Sequence, residues 1–478
     1  MRAVVLTGVI VFLFAQPGRA ADNERVVKLT LTPAGRPEPA MKYRLSPTDR
    51  ELVPGNAAAL YYRAIVQMQN DKRQLVGENI DKDMQSAIDG IWLDLPPDQF
   101  PRADAAKGLE RWSSALAEAE LAARRRGAQW DLPLKEHGIQ TLLPEVQEMR
   151  SLARLLALKA KLALAEKNYD EAARTLETMI QLGQHVSESG TLVSSLVGVA
   201  CDAIALNEAE FWVNTPGSPS LYWALTALRN PLIDIGDGLE SEHYWVGSAL
   251  PYQDILATSV LSADQGRELT RALGNLMGVA TEGSAMEIMP GIKLPIPQDA
   301  IMLVPALATY PSAKRELIAR GRPAAEVERM PVAQVVVLAW VQTYREQLDE
   351  MVAWGHRPYA ESRRAIARID EAADERNRSP AGFFARLLLP AINAAMGAGA
   401  RLDQRVALLR TVEALRLYAA AHDGALPANL KEVTEVPIPR DPATGVSFAY
   451  SLSDGTATLQ SRERSVYQHT IYEITIRK

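Results

Sequence analysis

Six histidines are the side chains of this chain best suited to moving protons near neutral pH: His137, His185, His243, His356, His422 and His469. A zinc hydrolase of the His-Glu-x-x-His type needs two imidazoles on one helical face, and no two of these histidines lie within four residues of each other. The most crowded setting is Glu240-Ser241-Glu242-His243, where a carboxylate can tune an imidazole for proton transfer. Adjacent residues on a helix point apart, however, so this run reads as a solvated face and not as a dyad. The chain has no Gly-x-Ser-x-Gly elbow, Gly-x-x-x-x-Gly-Lys phosphate loop or Gly-x-Gly-x-x-Gly turn, which removes the usual signatures of serine hydrolases, nucleotide hydrolases and dinucleotide enzymes.

Cys201 is the single cysteine, so no intrachain disulfide forms. Its apolar neighbours, Leu196 to Ala200 and Ala203 to Leu206, mark it as a small buried helical residue and not a nucleophile. The sequence therefore assigns no catalytic residue, no metal ligand and no cofactor. A softer signal is aromatic density. Trp212, Tyr222, Trp223, Tyr244, Trp245 and Tyr252 fall close together and are candidates to line a groove for a peptide or sugar, with packing between helices as the alternative.

Composition narrows the class of partner. The apolar fraction is 47% and the charged fraction 23%, both near globular averages, so disorder is not indicated. A formal net charge of −6 argues against a general nucleic-acid binder, which needs a basic field. The local exception, Arg124-Arg125-Arg126, precedes Gly127 at the end of an apolar-periodic segment, where cations complement a helix dipole.

The first residues predict an address. Arg2 precedes an apolar run from Val4 to Ala15, and Gln16-Pro17-Gly18-Arg19-Ala20 follows, with Gly18 and Ala20 three places and one place before Ala21. This is the pattern of a secretory signal peptide over 1–20 that signal peptidase recognises at Gly18 and Ala20. A run of about 12 residues is too short to cross a bilayer core of about 30 Å, so cleavage is expected over anchoring. The body is expected to be exported, periplasmic or extracellular, with no transmembrane helix after cleavage.

Past the leader, Val27 to Thr32 alternates apolar and polar residues as a half-buried strand does, and Met41, Tyr43 and Leu45 repeat the pattern, which predicts an N-terminal β-hairpin. Such a pair is marginal alone and is expected to dock on helices or join a sheet elsewhere. Asn56 is placed to cap the next helix. A helical period dominates from 79 to 375. Leu155, Leu158, Leu162 and Ala165 share one face; after a short Glu166-Lys167-Asn168 turn, Tyr169, Ala172, Leu176 and Ile180 resume it. Ser262 and Gln265 fit a capping box, and a helix beginning near Pro323 is expected to kink at Pro331. From about Arg401 a last helix runs to His422, followed by strands at Val446–Leu452, Thr456–Gln460 and Thr470–Ile476, with Asp454-Gly455 as a hairpin turn. The expected fold class is mainly α: an irregular helical bundle or solenoid-like stack with an N-terminal β-hairpin and a small C-terminal helix-plus-sheet module. The expected segments are 21–78 (hairpin and first helix), 79–375 (helical domain) and 376–478 (helix plus sheet).

Two resemblances sharpen this. Ala163-Leu164-Ala165, a break and Tyr169-Asp170-Glu171-Ala172 resemble the small and aromatic packing residues of a tetratricopeptide-type hairpin over about 148–182. Ala414-Leu415-Arg416-Leu417-Tyr418, His422 to Pro427, and Asp441-Pro442-Ala443-Thr444-Gly445 with Phe448-Ala449-Tyr450 resemble the soluble part of the major pseudopilins of bacterial type II secretion systems, over about 380–462. The chain as a whole resembles an exported bacterial protein. The hairpin-like helices, the acidic balance and the absent catalytic signatures together lead to the expectation of a non-enzymatic helical scaffold that binds an envelope protein or peptide. The alternatives are an envelope hydrolase whose site forms only in three dimensions, and an accessory of a secretion apparatus.

Overall fold

The alternation that opens the body does form a strand, β1 (Glu24–Leu31), yet its partner lies at the far end of the chain. β1 pairs in parallel with the strand His469–Ile476, from Glu24 against His469 through Leu31 against Ile476. Met41–Leu45 is a run of turns and bends, so the expected N-terminal hairpin is replaced by a single strand that joins the C-terminal sheet. The alternation was real for a different reason: Tyr43 and Leu45 are buried against helices, with the Tyr43 ring edge-on to Trp212 at 5.5 Å. A parallel pair requires a crossover connection, and here nearly the whole chain serves as one. The computed structural model describes residues 24–77, 91–95, 99–132, 144–248, 250–281, 298–376, 383–463 and 469–477.

β2 (Val53–Asn56) leads into α1 (Ala57–Gly77), with the Asn56 carboxamide accepting from Ala58 N at 3.0 Å. A short 3-10 turn at Ile91–Asp94 precedes α2 (Arg102–Arg111) and α3 (Ser113–Ala123). Trp112, wholly buried, stands between these two helices with φ of −99° and ψ of 14°. Arg125 and Arg126 belong to β3 (Arg125–Gly127), which pairs in parallel with β2, and Arg125 Nη1 donates to Pro54 O at 2.9 Å. The arginine triplet thus ties down a strand rather than only closing a helix.

The helical pair read from the sequence is present as α4 (Pro144–Ala165) and α5 (Tyr169–Ser187). Asn168 caps α5 by accepting from Glu171 N, and Lys167 takes a left-handed φ of 60° in the turn. α6 (Leu192–Asn214) crosses α5 closely at Gly183 and Gly198. A Cβ on Gly198 would stand 2.6 Å from Gly183 O, which only glycine avoids. α6 is the one helix among the described residues long and apolar enough to cross a membrane; 67% of that stretch is covered by the rest of the protein. α7 (Tyr222–Thr226) follows.

The chain then runs through α8 (Gly236–Ser248), α9 (Gln253–Leu256), α10 (Ala263–Thr281), α11 (Gln298–Ala319), α12 (Ala324–Arg329), α13 (Val332–Gly355) and α14 (Tyr359–Arg376). The Ser262 capping box is reciprocal: Gln265 N donates to Ser262 Oγ at 3.2 Å and Ser262 N to Gln265 Oε1 at 2.8 Å. At Pro331 the chain does not kink one helix but separates α12 from α13. α15 (Phe383–Ala421) ends at Asp423-Gly424, both with positive φ.

β4 (Ala449–Ser453) and β5 (Thr456–Gln460) form a hairpin whose Asp454-Gly455 turn has φ of 51° and 76°, as a two-residue type I′ loop requires. β6 (His469–Ile476) completes a sheet of order β1-β6-β5-β4, antiparallel except at β1. The protein is thus mainly α-helical, with an N-terminal strand and a C-terminal helix-plus-antiparallel-sheet module. Contacts gather Leu239–Ala395 into one compact unit, and Ala20–Asp131, Leu143–Gly238 and Met396–Lys478 into another. Segment boundaries read at 78 and 375 do not coincide with these units, because β1, the helical pair and the C-terminal module share one core despite their separation in sequence.

Candidate functional site

The histidines stay apart. His185 is buried, its Nδ1 3.1 Å from Tyr61 Oη, and burial lowers its pKa to about 4, so it is neutral at physiological pH. His356 Nε2 lies 3.2 Å from Glu240 Oε1 with both side chains well exposed, so Glu240 meets an imidazole from the end of α13 and not from its own helix. His422 stacks on Tyr418 at 3.8 Å, and His469 Nε2 faces Gln460 Oε1 at 3.0 Å. His137, the leader residues Gly18 and Ala20, and the side chains of His243, Tyr244 and Trp245 lie outside the described residues. Cys201 is fully buried, and burial raises its thiol pKa, which keeps it from acting as a thiolate.

Of the aromatic candidates, Trp212 and Tyr222 are interior and Trp223 is half-buried. Trp212 is 0% exposed; it packs on Tyr43 and on Tyr169, and its Nε1 donates to Pro219 O at 2.8 Å. Tyr222 is equally enclosed, with its hydroxyl donating to Pro437 O and its ring perpendicular to Trp223 at 5.1 Å. Tyr252 belongs to the other compact unit, where its hydroxyl donates to Glu268. Large aromatic rings bury the most apolar area per residue, and here that area holds helices together.

Buried charge concentrates on α6. Glu210 accepts from Arg25 at 2.6 and 2.9 Å, from Arg405 at 2.9 Å and from Tyr472 Oη at 2.6 Å. Burial alone would raise its pKa; Arg405 and Arg25 outweigh that and hold it below the usual range. Two residues back along α6, burial raises the pKa of Glu208; nearby Lys161 of α4 donates to Leu93 O and lies 4.6 Å from the Phe211 ring centroid. These groups fasten the segments around them, and Arg405 also borders a small cavity of about 130 Å³ with Gln404 and Thr470. Asp403 accepts from Leu232 N at 2.8 Å, and burial pushes it up to about 6. An acid whose pKa is raised on folding stabilises below its unfolded pKa and loses that contribution as pH rises through the folded value. Between pH 5 and 8 Asp403 should therefore cost about 1 kcal/mol of stability. Asp403→Asn keeps the acceptor for Leu232 N and is expected to flatten that part of the pH profile in thermal melts; a slope equal to wild type would refute the assignment.

The concave surface with mixed chemistry lies elsewhere. Where α2 and α3 meet the C-terminal half of α4 and the first turn of α5, a groove of about 480 Å³ opens. Its floor is Leu109, Leu116, Leu162 and Ala163, and its rim carries Glu110, Glu120, Glu166, Glu171 and Lys159. Lys159 Nζ bridges Glu120 and, at 2.7 Å, Glu171. Burial lowers the pKa of Lys159, but those two carboxylates raise it further, so the ammonium stays charged. Arg174 adds a 2.8 Å ion pair to Glu171 from outside the rim. Glu110 and Glu166 have no ion-pair partner among the described residues. An apolar floor with a few placed charges is how protein surfaces hold a side chain or short segment. Sequence reading passed over these residues. Glu166 was visible only as part of a turn, and no spacing rule relates Glu110 to Lys159; their meeting follows from α2 packing on α4 and α3 on α5. No protein-family model matches this chain, and no curated protein or solved structure is significantly similar to it.

Proposed function

We propose that the protein is an exported, non-enzymatic helical scaffold that holds a segment of another envelope protein or a peptide in the groove between α2, α3, α4 and α5. The observation that carries this reading is the groove itself: concave, apolar at its base and charged at its rim, beside the helical pair α4 and α5. A photo-crosslinking residue at Ala117, which lines the groove, should capture a polypeptide in cells, and the same residue at exposed Ala420 should not. Equal capture at both positions, or none at Ala117, would remove the groove from the reading.

Export is supported by the leader pattern alone. Purified protein from the exported fraction should begin at Ala21, and Ala20→Arg with Gly18→Arg should leave the leader attached, adding about 2 kDa on a gel. An intact Met1 on the wild-type protein would refute export by this route. The C-terminal unit is proposed as a pseudopilin-type module, supported by the order of one long helix, the Asp441-Pro442 loop and three antiparallel strands. In that loop Asp441 is buried and accepts from Gln404 Nε2 at 3.0 Å, Ser461 Oγ at 2.6 Å and Ala443 N at 2.9 Å.

A further inference from the structure

The groove's charge says what kind of segment it takes. We infer that the occupant is a polypeptide segment presenting a lysine or arginine, whose aliphatic stem lies on Leu109, Leu116 and Leu162 and whose cationic head lies between Glu110 and Glu166. This rests on the groove reading and gives it a chemical class.

Four carboxylates line the groove and a single ammonium opposes them. That ammonium is already spoken for: Lys159 joins Glu120 to Glu171 and, with Arg174 on Glu171, balances the charge at one end of the groove. What remains is the pair without ion-pair partners among the described residues, Glu110 from the last turn of α2 and Glu166 from the turn between α4 and α5. An acidic segment meets net repulsion and finds the cation committed to two internal bonds. An uncharged segment gains the floor but leaves two carboxylates unmatched. A long basic side chain satisfies both parts of the surface, because its methylenes cover apolar area while its head stays at the wet rim. Lys159 shows the same principle from within the protein, since its ammonium bridges two of the groove's carboxylates. The carboxylates are exposed to solvent, so the charge contribution must weaken with salt over a screening length of about 8 Å at physiological ionic strength.

The test uses the full exported chain and three fluorescent peptides of equal length, one lysine-rich, one glutamate-rich and one uncharged and polar, followed by anisotropy. The lysine-rich peptide should bind at least about tenfold tighter than the other two, and lose affinity between about 50 and 200 mM salt. Glu110→Gln with Glu166→Gln, both at exposed positions, should weaken that peptide by about five- to tenfold with an unchanged melting temperature. Lys159→Met frees Glu120 and Glu171 and should strengthen it. Three peptides binding alike, with no response to the glutamine variants, would overturn the charge assignment and leave the groove standing if Ala117→Trp still abolishes binding. Binding indifferent to Ala117→Trp would overturn the groove itself. A lysine-rich peptide that fails to bind at about millimolar concentration would overturn the inference outright.

Discussion

Arg416→Ala is expected to lower the unfolding free energy by about 3–5 kcal/mol, a large part of the roughly 5–15 kcal/mol that holds a domain together. Arg416 is fully buried and acts as a staple between three distant segments. Its Nη1 pairs with Glu413 at 2.9 Å, its Nη2 donates to both oxygens of Ser218, and its Nε donates to Thr32 O at 3.1 Å. Alanine leaves the Glu413 carboxylate buried with no countercharge and strips donors from buried carbonyls, which is the costly direction for an internal ion pair. Urea titration should show the midpoint falling with little change in slope. Changing Glu413 to Gln together with Arg416 to Met should recover much of the loss, since the uncompensated charge is then gone. A single-variant effect under about 1 kcal/mol would contradict the staple.

Glu210→Ala should have a comparable effect, again about 3–5 kcal/mol, through a different part of the same unit. Glu210 gathers Arg25 from β1, Arg405 from α15 and Tyr472 from β6 onto α6, so its removal leaves two guanidinium groups facing each other in a mostly buried place. The folded state lowers its pKa, so its contribution is complete above the unfolded value of about 4.5 and disappears as pH falls through the folded one. The wild type should lose stability on acidification below about pH 4.5 to a greater extent than Glu210→Gln, as followed by circular dichroism. Double-mutant cycles with Arg25→Met should give a strong coupling between β1 and α6; additive effects would show that the strand is held by its backbone pairing alone.

What local chemistry controls was legible before any coordinate. The helix pair around Asn168, the Ser262 capping box and the Asp454-Gly455 turn each depend on residues within four places of one another, and each has the geometry its side chains require. The break at Trp112 was not legible. The helical period continues through the residue, yet its backbone turns to ψ of 14° between α2 and α3. The candidate site was less legible still, because Glu110, Glu120, Lys159 and Glu171 belong to four helices and none of them forms a motif.

By itself the sequence determined the mainly helical class, the short C-terminal strands with their hairpin turn, the lack of any familiar catalytic motif and an apolar leader pattern at the start. Those properties follow from periodicity, turn residues and composition, which act over a few residues. Only the tertiary structure decided that the first strand joins the last, that Trp212 and Tyr222 are interior, and that carboxylates from separate helices converge on one groove. Strand pairing, burial and charge convergence are set by which surfaces of distant elements exclude water together, and that depends on every element at once.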